Sequence, residues 1–458
     1  MSLEQPPPMG GSWITSDRRV PRLLVRPLRE FLDTEVASGV VLLAATIAAL
    51  VWANSPWQDA YESLWTTELA LRIGSFSLAE DLRHWVNDAL MAIFFFVVGL
   101  EIKRELVEGE LMEPRRAALP AIAALGGMVV PALAYAVVNT GGEGIQGWGI
   151  PMATDIAFAL GVLALLGPRV PSTLKVFLLS LAIVDDIGAI LVIALFYSGG
   201  IDIVWLTAAV AGIIVVVVLK SVNVWWVPVY VVVGAAVWLA TFESGVHATI
   251  AGVALGLLTP GQPLDPSALE ASGLASPEEQ RPSPHELRTA QLQASATLSV
   301  AERLAHLLHP FTSFAIIPLF AFANAGISLG ADDIGQAMGA SVTIGVVLGL
   351  VVGKIVGITG FAWLATRVGV AQLPAGVGWL HLASVAAVAG IGFTVSIFIA
   401  SLAFQSETLV QEAKVGILAA SVIASAIGAL GMRMARAPRP QEGDLSPPEP
   451  TERAMMEE

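Results

Sequence analysis

The sequence contains no cysteine among its 458 residues. Disulfide bonds and thiolate metal sites are therefore excluded. Charged residues are also scarce at 14%, whereas a soluble domain of this size carries roughly 25%. The net charge is −14, and we expect no nucleic acid among the partners of this chain. The low content of charged residues therefore argues against a soluble globular protein.

Hydrophobic residues make up 55% of the chain, and they form long uninterrupted runs. An apolar run of about 18 residues is long enough for a helix to cross a hydrocarbon layer ~30 Å thick. A membrane β-barrel would instead show short segments of alternating polarity. The sequence therefore predicts an all-α polytopic protein whose surroundings are a lipid bilayer.

Twelve transmembrane segments are predicted within a single domain, residues 35–434. The N-terminal extension 1–34 is Pro- and Arg-rich and has no evident cleavable signal peptide. A polar linker occupies 260–302, and an acidic tail, 435–458, has the composition of a disordered segment. Alternation in 64–80 predicts a small β-hairpin outside the membrane. The segments are 36–54, 84–107, 117–138, 148–167, 173–197, 202–219, 224–241, 245–259, 304–328, 338–365, 376–403 and 412–434.

The placement of basic residues predicts the orientation of these segments. With twelve segments both termini share one side, and 20 of the 24 Lys and Arg residues fall on that side. Only Arg72, Arg83 and Lys414 fall on the other, and Lys354 lies within a segment. Because Lys and Arg accumulate in cytoplasmic loops, both termini are predicted to be cytoplasmic.

Four charged residues lie inside apolar segments. Asp185 and Asp186 interrupt "SLAIVDDIGAILVIALFY", Asp155 lies in segment four, and Lys354 lies in segment ten. An acid at the centre of a membrane helix costs roughly 2.5–3.5 kcal/mol on insertion scales. Ionisable residues in such positions mark ion pathways or proton relays by default.

Helix geometry predicts that the two adjacent acids have different partners. Neighbouring residues on a helix point about 100° apart, so Asp185 and Asp186 cannot serve one ligand equally. One of them is expected to face a cavity, and the other a neighbouring helix where Lys354 is the obvious counter-charge. A carboxylate that holds either a proton or a Na⁺ ion, but never both, is already an exchanger.

Segments four and eleven carry helix-interrupting residues at corresponding positions. Gly149 and Pro151 precede Thr154 in segment four, while Gly390 and Gly392 weaken segment eleven. Interrupted segments at equivalent places in two halves predict inverted repeats with a site at the middle of the membrane. The opposed helix ends call for an acid and a cation, which Asp155 and Lys354 supply.

Six motifs of the chain form a specific set: "GLEIKREL", "ATDIAFALGVLALLG", "LAIVDDIGAI", "GVHATIAGV", "HPFTSFAIIPLFAFANAGISL" and "GIGFTVSIFIASLAF". Together these motifs resemble the NhaA family of sodium/proton antiporters. They occur in the family's order between about residues 30 and 434. NhaA is itself one of the transporters from which the rule about interrupted helices is known, so the two arguments are not independent.

This resemblance implies twelve helices, two of them broken and crossed, which are segments four and eleven here. It implies electrogenic export of one Na⁺ or Li⁺ for two protons in a bacterial inner membrane, with no cofactor. By position, Asp185 and Asp186 correspond to the pair that carries ions and protons, and Lys354 to the lysine that pairs with the first of them. Thr154 and Asp155 are the residues of the broken helix, and Asp155 is predicted as a third Na⁺ ligand. The hairpin at 64–80 would suit a homodimer, as it does in the family.

The family's pH response is associated with acids and histidines near the cytoplasmic side. Glu101 and Glu105 match the acids of its cytoplasmic funnel, although their spacing also fits a solvated helix end. His247 and His306 match histidines linked to pH response, but Ala305 stands where the family pattern has Glu. Asp88 is predicted to be structural, as a capping or pairing residue.

Three other kinds of function are compatible with intramembrane acids. An intramembrane aspartyl protease needs two of them on separate helices, yet the Gly-x-Gly-Asp signature is replaced here by "GIGF", with Phe393 at the Asp position. A sodium-coupled symporter would need a larger pocket lined by solute contacts, and no such cluster is evident. An ion sensor that transports nothing is the third alternative.

Overall fold

The computed structural model describes residues 35–435, apart from 75, 108, 223–226, 261–298 and 329. The described chain is mostly helical, because a chain in hydrocarbon must satisfy its backbone N–H and C=O groups internally. The predicted N-terminal extension, most of the 260–302 linker and the tail beyond 435 lie outside the described residues.

The described part before the linker contains two short strands and a series of helices. The helices are α1 (Glu35–Ala53), α2 (Gln58–Trp65), α3 (Leu82–Val107), α4 (Pro114–Val138), α5 (Ile156–Leu166), α6 (Ser172–Phe196), α7 (Ile203–Ser221), α8 (Val227–Glu243) and α9 (Thr249–Leu258). Short 3₁₀ segments precede α4 at Glu110–Met112 and α5 at Glu143–Met152, and another follows α5 at Gly167–Arg169.

In the described part after residue 298, every regular element is a helix. Its helices are α10 (Val300–Asn324), α11 (Ala331–Gly339), α12 (Ser341–Val368), α13 (Trp379–Val388), α14 (Phe393–Ala403) and α15 (Glu407–Met434). A π turn at Leu348–Gly353 widens α12 immediately before Lys354. Such turns occur mostly as single insertions in α-helices, frequently at functional sites.

Seven of the described helices, each 19 to 28 residues long, are long and apolar enough to cross a membrane. Three further apolar stretches are helix pairs with a bend: α1 with α2 at 117°, 143–152 with α5 at 46°, and α13 with α14 at 50°. The helices α8 and α9 are shorter but also apolar. Each of the twelve predicted segments overlaps one of these helices or pairs.

The two strands form an antiparallel hairpin between α2 and α3. Strand β1 (Glu68–Ile73) pairs with β2 (Phe76–Asp81), and Glu68 lies opposite Asp81. Gly74 has a φ of 63° at the turn, a backbone conformation that glycine adopts without strain. Asp81 then caps the first turn of α3 by accepting from the backbone N–H of His84 at 2.7 Å.

Close packing of α4 against α12 positions the buried lysine. At Gly126 and Gly357 the two backbones approach so closely that a side chain on either residue would collide with the opposite carbonyl oxygen. Small residues at such contacts are typical of helix pairs in membranes. Lys354 lies one turn before Gly357, so this contact directs its side chain into the protein interior.

Candidate ion-binding site

Two interrupted helices contact each other at their breaks in the protein interior, and this contact is named the helix crossing. In one, the chain is extended at 153–155 between the 3₁₀ segment and α5, and in the other it is non-helical at 390–392 between α13 and α14. The backbone N–H of Asp155 donates to the carbonyl of Ile391 at 2.7 Å. The Ser396 hydroxyl donates to the carbonyl of Ile150 at 2.8 Å. The crossing therefore brings four helix ends to one place.

Lys354 is fully buried beside this crossing and forms an ion pair with Asp185. Its Nζ atom lies 2.5 Å from Asp185 Oδ2, and neither side chain is exposed. The same ammonium donates to the Met152 carbonyl at 2.5 Å and to Thr154 Oγ1 at 3.0 Å. Its three N–H donors are thus all used. Because Met152 ends the 3₁₀ segment, the lysine charge also lies at the negative end of a helical segment.

Thr154 links the ion pair to the second interrupted helix. Its Oγ1 atom lies 2.9 Å from Asp185 Oδ2 and also 2.9 Å from the carbonyl oxygen of Ala389. A hydroxyl group has one proton, so it can donate to only one of these oxygens at a time. Ala389 follows directly after α13, so Thr154 lies between the ion pair and the end of that helix.

Asp155 caps two helices at once. Its Oδ1 atom accepts from the backbone N–H of Phe158 at 3.0 Å, in the first turn of α5. Its Oδ2 atom accepts from the Thr394 N–H at 3.0 Å and from the Thr394 hydroxyl at 2.5 Å, in the first turn of α14. A carboxylate is favoured at helix N-termini, where backbone N–H groups lack partners within the helix.

Asp186 differs from its neighbour because it forms no hydrogen bond or ion pair with the described residues. It is 6% exposed, and Asp185, Glu101 and Asp155 are the acids within electrostatic reach of its carboxylate. Asp185 Oδ1 is likewise buried and has no partner within the part of the chain that the structure describes. The adjacent acids therefore offer free carboxylate oxygens, which are suitable ligands for a hard cation or acceptors for a proton.

The structure does not bring all three aspartates together as one metal site, although the sequence predicted three Na⁺ ligands. Among residues 35–435, with the gaps given above, no three Asp, Glu, His or Cys side chains are grouped so as to hold a metal ion. The physical reason lies in Asp155, whose carboxylate is occupied by three donors from α5 and α14. The Asp155 carboxylate thus holds the two interrupted helices together at the helix crossing.

The predicted cytoplasmic residues are divided between a cavity and the surface. Glu105 is buried and accepts from the backbone N–H of Glu110 at 2.9 Å. It lines a cavity of about 300 Å³ that reaches Ser180 on α6, the helix of the two aspartates. Glu101 is partly buried one turn earlier on α3, whereas His306 is exposed near the start of α10. Ala305 beside it is partly exposed.

His247 and Asp88 lie outside both the helix crossing and the cavity beside Glu105. His247 lies in the connection between α8 and α9, with Nε2 at 2.7 Å from the carbonyl oxygen of Tyr197. Asp88, predicted as a capping or pairing residue, forms no side-chain hydrogen bond or ion pair with the described residues, so its structural role stays a prediction. Asp81 is the cap of α3 instead, and Asp88 lies in the π turn Trp85–Leu90 that follows. The Asp88 carbonyl oxygen accepts from Trp238 Nε1 at 3.2 Å.

Sequence reasoning missed Thr394 and Ser396, which bind the two interrupted helices together. Their signal was the position of two hydroxyl residues directly after "GIGF", at the start of a predicted half-helix. A helix start needs partners for its free N–H groups, and an acid from the other interrupted helix was already available.

Comparison with known proteins decides the family. The family model described as Na⁺/H⁺ antiporter 1 matches residues 29–432. The chain belongs to this family. A protein named Na(+)/H(+) antiporter NhaA 2 from Sorangium cellulosum is 47% identical over 450 residues, covering 95% of this chain and 96% of its own length. Na(+)/H(+) antiporter NhaA 3 from Frankia alni is 46% identical over 408 residues, covering 89% of this chain and 88% of its own.

Membership confirms the resemblance inferred from the motifs and decides between classes of function. A protein of this antiporter family is a multi-pass membrane transporter and not an enzyme, so the protease alternative is wrong. The ions in the family's name are transported substrates rather than cofactors.

Proposed function

We propose that this chain is an electrogenic antiporter that exports one Na⁺ or Li⁺ ion for two protons taken inward. Asp185 and Asp186 alternately bind the proton and the cation in this proposal. The observation that supports it best is the unequal state of the two acids: Asp185 is paired with Lys354, while Asp186 has no hydrogen-bonding partner among the described residues. A cation that binds there competes with protons for the same oxygens, and this competition couples the two ions.

Lys354 has a second role in the proposal beyond neutralising the buried Asp185 charge. When a cation or a proton occupies Asp185, the ammonium loses its counter-charge in a low-dielectric place and can release a proton of its own. The Thr154 hydroxyl contacts both Lys354 and Asp185, and it would keep a polar contact to Asp185 whether or not a cation or proton is bound. Asp155 compensates the positive ends of α5 and α14.

Access from the cytoplasm is proposed to run through the cavity beside Glu105. This cavity lies between the start of α4 and the α6 residues two turns before the aspartates. Glu101 and Glu105, together with His247 and His306, are the proposed residues of the pH response. Protonation of Glu101 and Glu105 would change the charge along the route to Asp186, which lies within the electrostatic reach of Glu101. His247 would act from the opposite end of α6, where it contacts the Tyr197 carbonyl.

The proposed topology has twelve transmembrane segments in the bacterial cytoplasmic membrane, with both termini in the cytoplasm. The seven long helices, the three bent pairs and the two shorter apolar helices support this number. The proposed domains are a cytoplasmic extension 1–34, a transport domain 35–434 that includes the cytoplasmic linker 260–302, and a cytoplasmic tail 435–458. The exposed hairpin Glu68–Asp81 is the proposed contact in a homodimer.

The proposal is tested by proton flux in proteoliposomes after addition of Na⁺, Li⁺ or K⁺ across a range of pH. We expect flux with Na⁺ and Li⁺ that depends on membrane potential, because the exchange moves net charge. Asp186→Asn should abolish it, since the amide can neither release a proton nor pair a cation. Asp202→Asn is the matched control, because this cap of α7 accepts only from backbone N–H groups and Asn preserves that role. Persistent Na⁺-driven flux in Asp186→Asn would refute the site, and flux insensitive to potential would refute the stoichiometry.

A further inference from the structure

One carboxylate holds both broken helices, and one residue of the second helix supplies most of its hydrogen bonds. Of the three hydrogen bonds to Asp155, two come from Thr394, through its backbone N–H at 3.0 Å and its hydroxyl at 2.5 Å. Both side chains are buried, at 2% and 4% exposure. Hydrogen bonds to a charged group are among the stronger ones in proteins, especially where water is excluded.

The start of α14 explains why this contact forms. Gly392 precedes the helix and has no side chain that could cap it. The first N–H groups of α14 therefore need an acceptor from elsewhere, and Asp155 provides it from the other interrupted helix. The same carboxylate caps its own helix α5, so both half-helices depend on the orientation of one group.

The residue beside Asp155 connects this contact to the ion pair. Thr154 precedes Asp155 in the extended chain, and its hydroxyl lies 2.9 Å from Asp185 Oδ2. The Thr394 hydroxyl consequently fixes Asp155, the chain at 153–155 fixes Thr154, and Thr154 contacts Asp185. A rotation of the Asp155 carboxylate would be transmitted to the oxygen that Lys354 also contacts.

We propose that Thr394 is a positioning residue for the cation site. It holds the Asp155 carboxylate as the common cap of α5 and α14, and thereby keeps Thr154 against Asp185 and the aspartate pair in its binding geometry. Asp155 then acts on the cation only through position and charge. This inference rests on the proposed function, because it assigns cation binding to Asp185 and Asp186.

The test is Thr394→Val, which removes the hydroxyl and keeps the shape of the side chain. Loss of pre-organisation lowers affinity for the cation, so the apparent KM for Na⁺ should rise about fivefold while the maximal rate stays within about twofold. Thr394→Ser restores the hydroxyl and should return KM to within about twofold of the unaltered protein. In detergent, the Na⁺ concentration that gives half of the maximal thermal stabilisation should rise by the same factor as KM.

Thr343→Val is the matched control, because Thr343 is also buried and its hydroxyl donates to a carbonyl on another helix, Glu412 O at 2.8 Å. It should leave KM for Na⁺ unchanged. The proposal is overturned by an unchanged KM in Thr394→Val, by a Ser variant that behaves like Val, or by an equal KM shift in the control. If Thr394→Val and Thr394→Ala both fail to fold while Thr343→Val folds, the residue serves folding and the proposal is wrong.

These outcomes separate the inference from the proposed function. Absence of Na⁺-dependent proton flux in the unaltered protein would refute the function and the inference together. Normal flux in the unaltered protein combined with an unchanged KM in Thr394→Val would refute the inference alone.

Discussion

The helix crossing and the cavity beside Glu105 both contain charged clusters, but the two clusters differ in how their charges are satisfied. At the crossing, Lys354 and Asp185 are fully buried and every N–H of the ammonium has an acceptor. At the cavity, Arg116 is 63% exposed and pairs with Glu113 at 2.9 Å and with Glu110 at 3.7 Å. Water can replace the partners of the exposed Arg116, whereas the partners of Lys354 are shielded from it.

This difference separates what each cluster can do. A buried pair has a fixed geometry, and losing one partner leaves an uncompensated charge. An exposed pair is screened by salt and contributes little to stability, so its partners exchange readily. In the proposed function, the crossing is therefore suited to selective binding, and the cavity to attracting and releasing hydrated cations.

The largest expected effect is the loss of stability in Lys354→Met. This variant leaves the Asp185 charge buried and deprives Met152 O and Thr154 Oγ1 of a donor. Breaking a buried pair costs roughly 3–5 kcal/mol, and we expect a loss of that order in the free energy of unfolding, measured by denaturation in detergent.

A second variant tests the cause of that loss. Adding Asp185→Asn to Lys354→Met removes the stranded charge, so a substantial part of the stability should return although transport does not. A double variant as unstable as the single one would show that the stability of the crossing comes from packing rather than from the ion pair.

A much smaller effect is expected at the cavity for Arg116→Ala. Exposed ion pairs contribute about 0.2–1 kcal/mol, so the melting temperature should fall only slightly at low salt and the difference should vanish at high salt. Arg116→Lys is the matched control that keeps the charge. A large, salt-independent loss of stability would mean that the cavity charges are structural like those at the crossing.

The sequence identified the charged residues of this region better than it predicted the contacts among them. Long apolar runs and the placement of Lys and Arg indicated a bundle of membrane helices, and charges within those runs indicated Asp155, Asp185, Asp186 and Lys354. These signals are strong because a charge in hydrocarbon has few alternatives to a functional role.

Hydroxyl and carbonyl contacts carry no comparable signal. Thr394 and Ser396 are ordinary members of an apolar helix, and the carbonyls of Met152 and Ala389 are present whatever the side chain is. Which carbonyl or hydroxyl group accepts a hydrogen bond depends on how two segments distant in the sequence pack together. The local sequence alone does not determine this packing. The start of α3 illustrates the same point, because Asp81 rather than Asp88 accepts from the N–H group of its first turn.

The smallest expected effect concerns the pH dependence of the proposed transport. Ala305 lies on the first turns of α10, which packs against the second half of α3 with Glu101 and Glu105. A carboxylate at this position would add negative charge near groups that bind protons, and like charges favour the protonated forms of their neighbours. Ala305→Glu should therefore move the pH profile of Na⁺-driven flux toward higher pH with little change in its maximum. Ala305→Gln has the same size without the charge and should leave the profile in place, so equal shifts in both variants would trace the effect to bulk and exclude position 305 from the pH response.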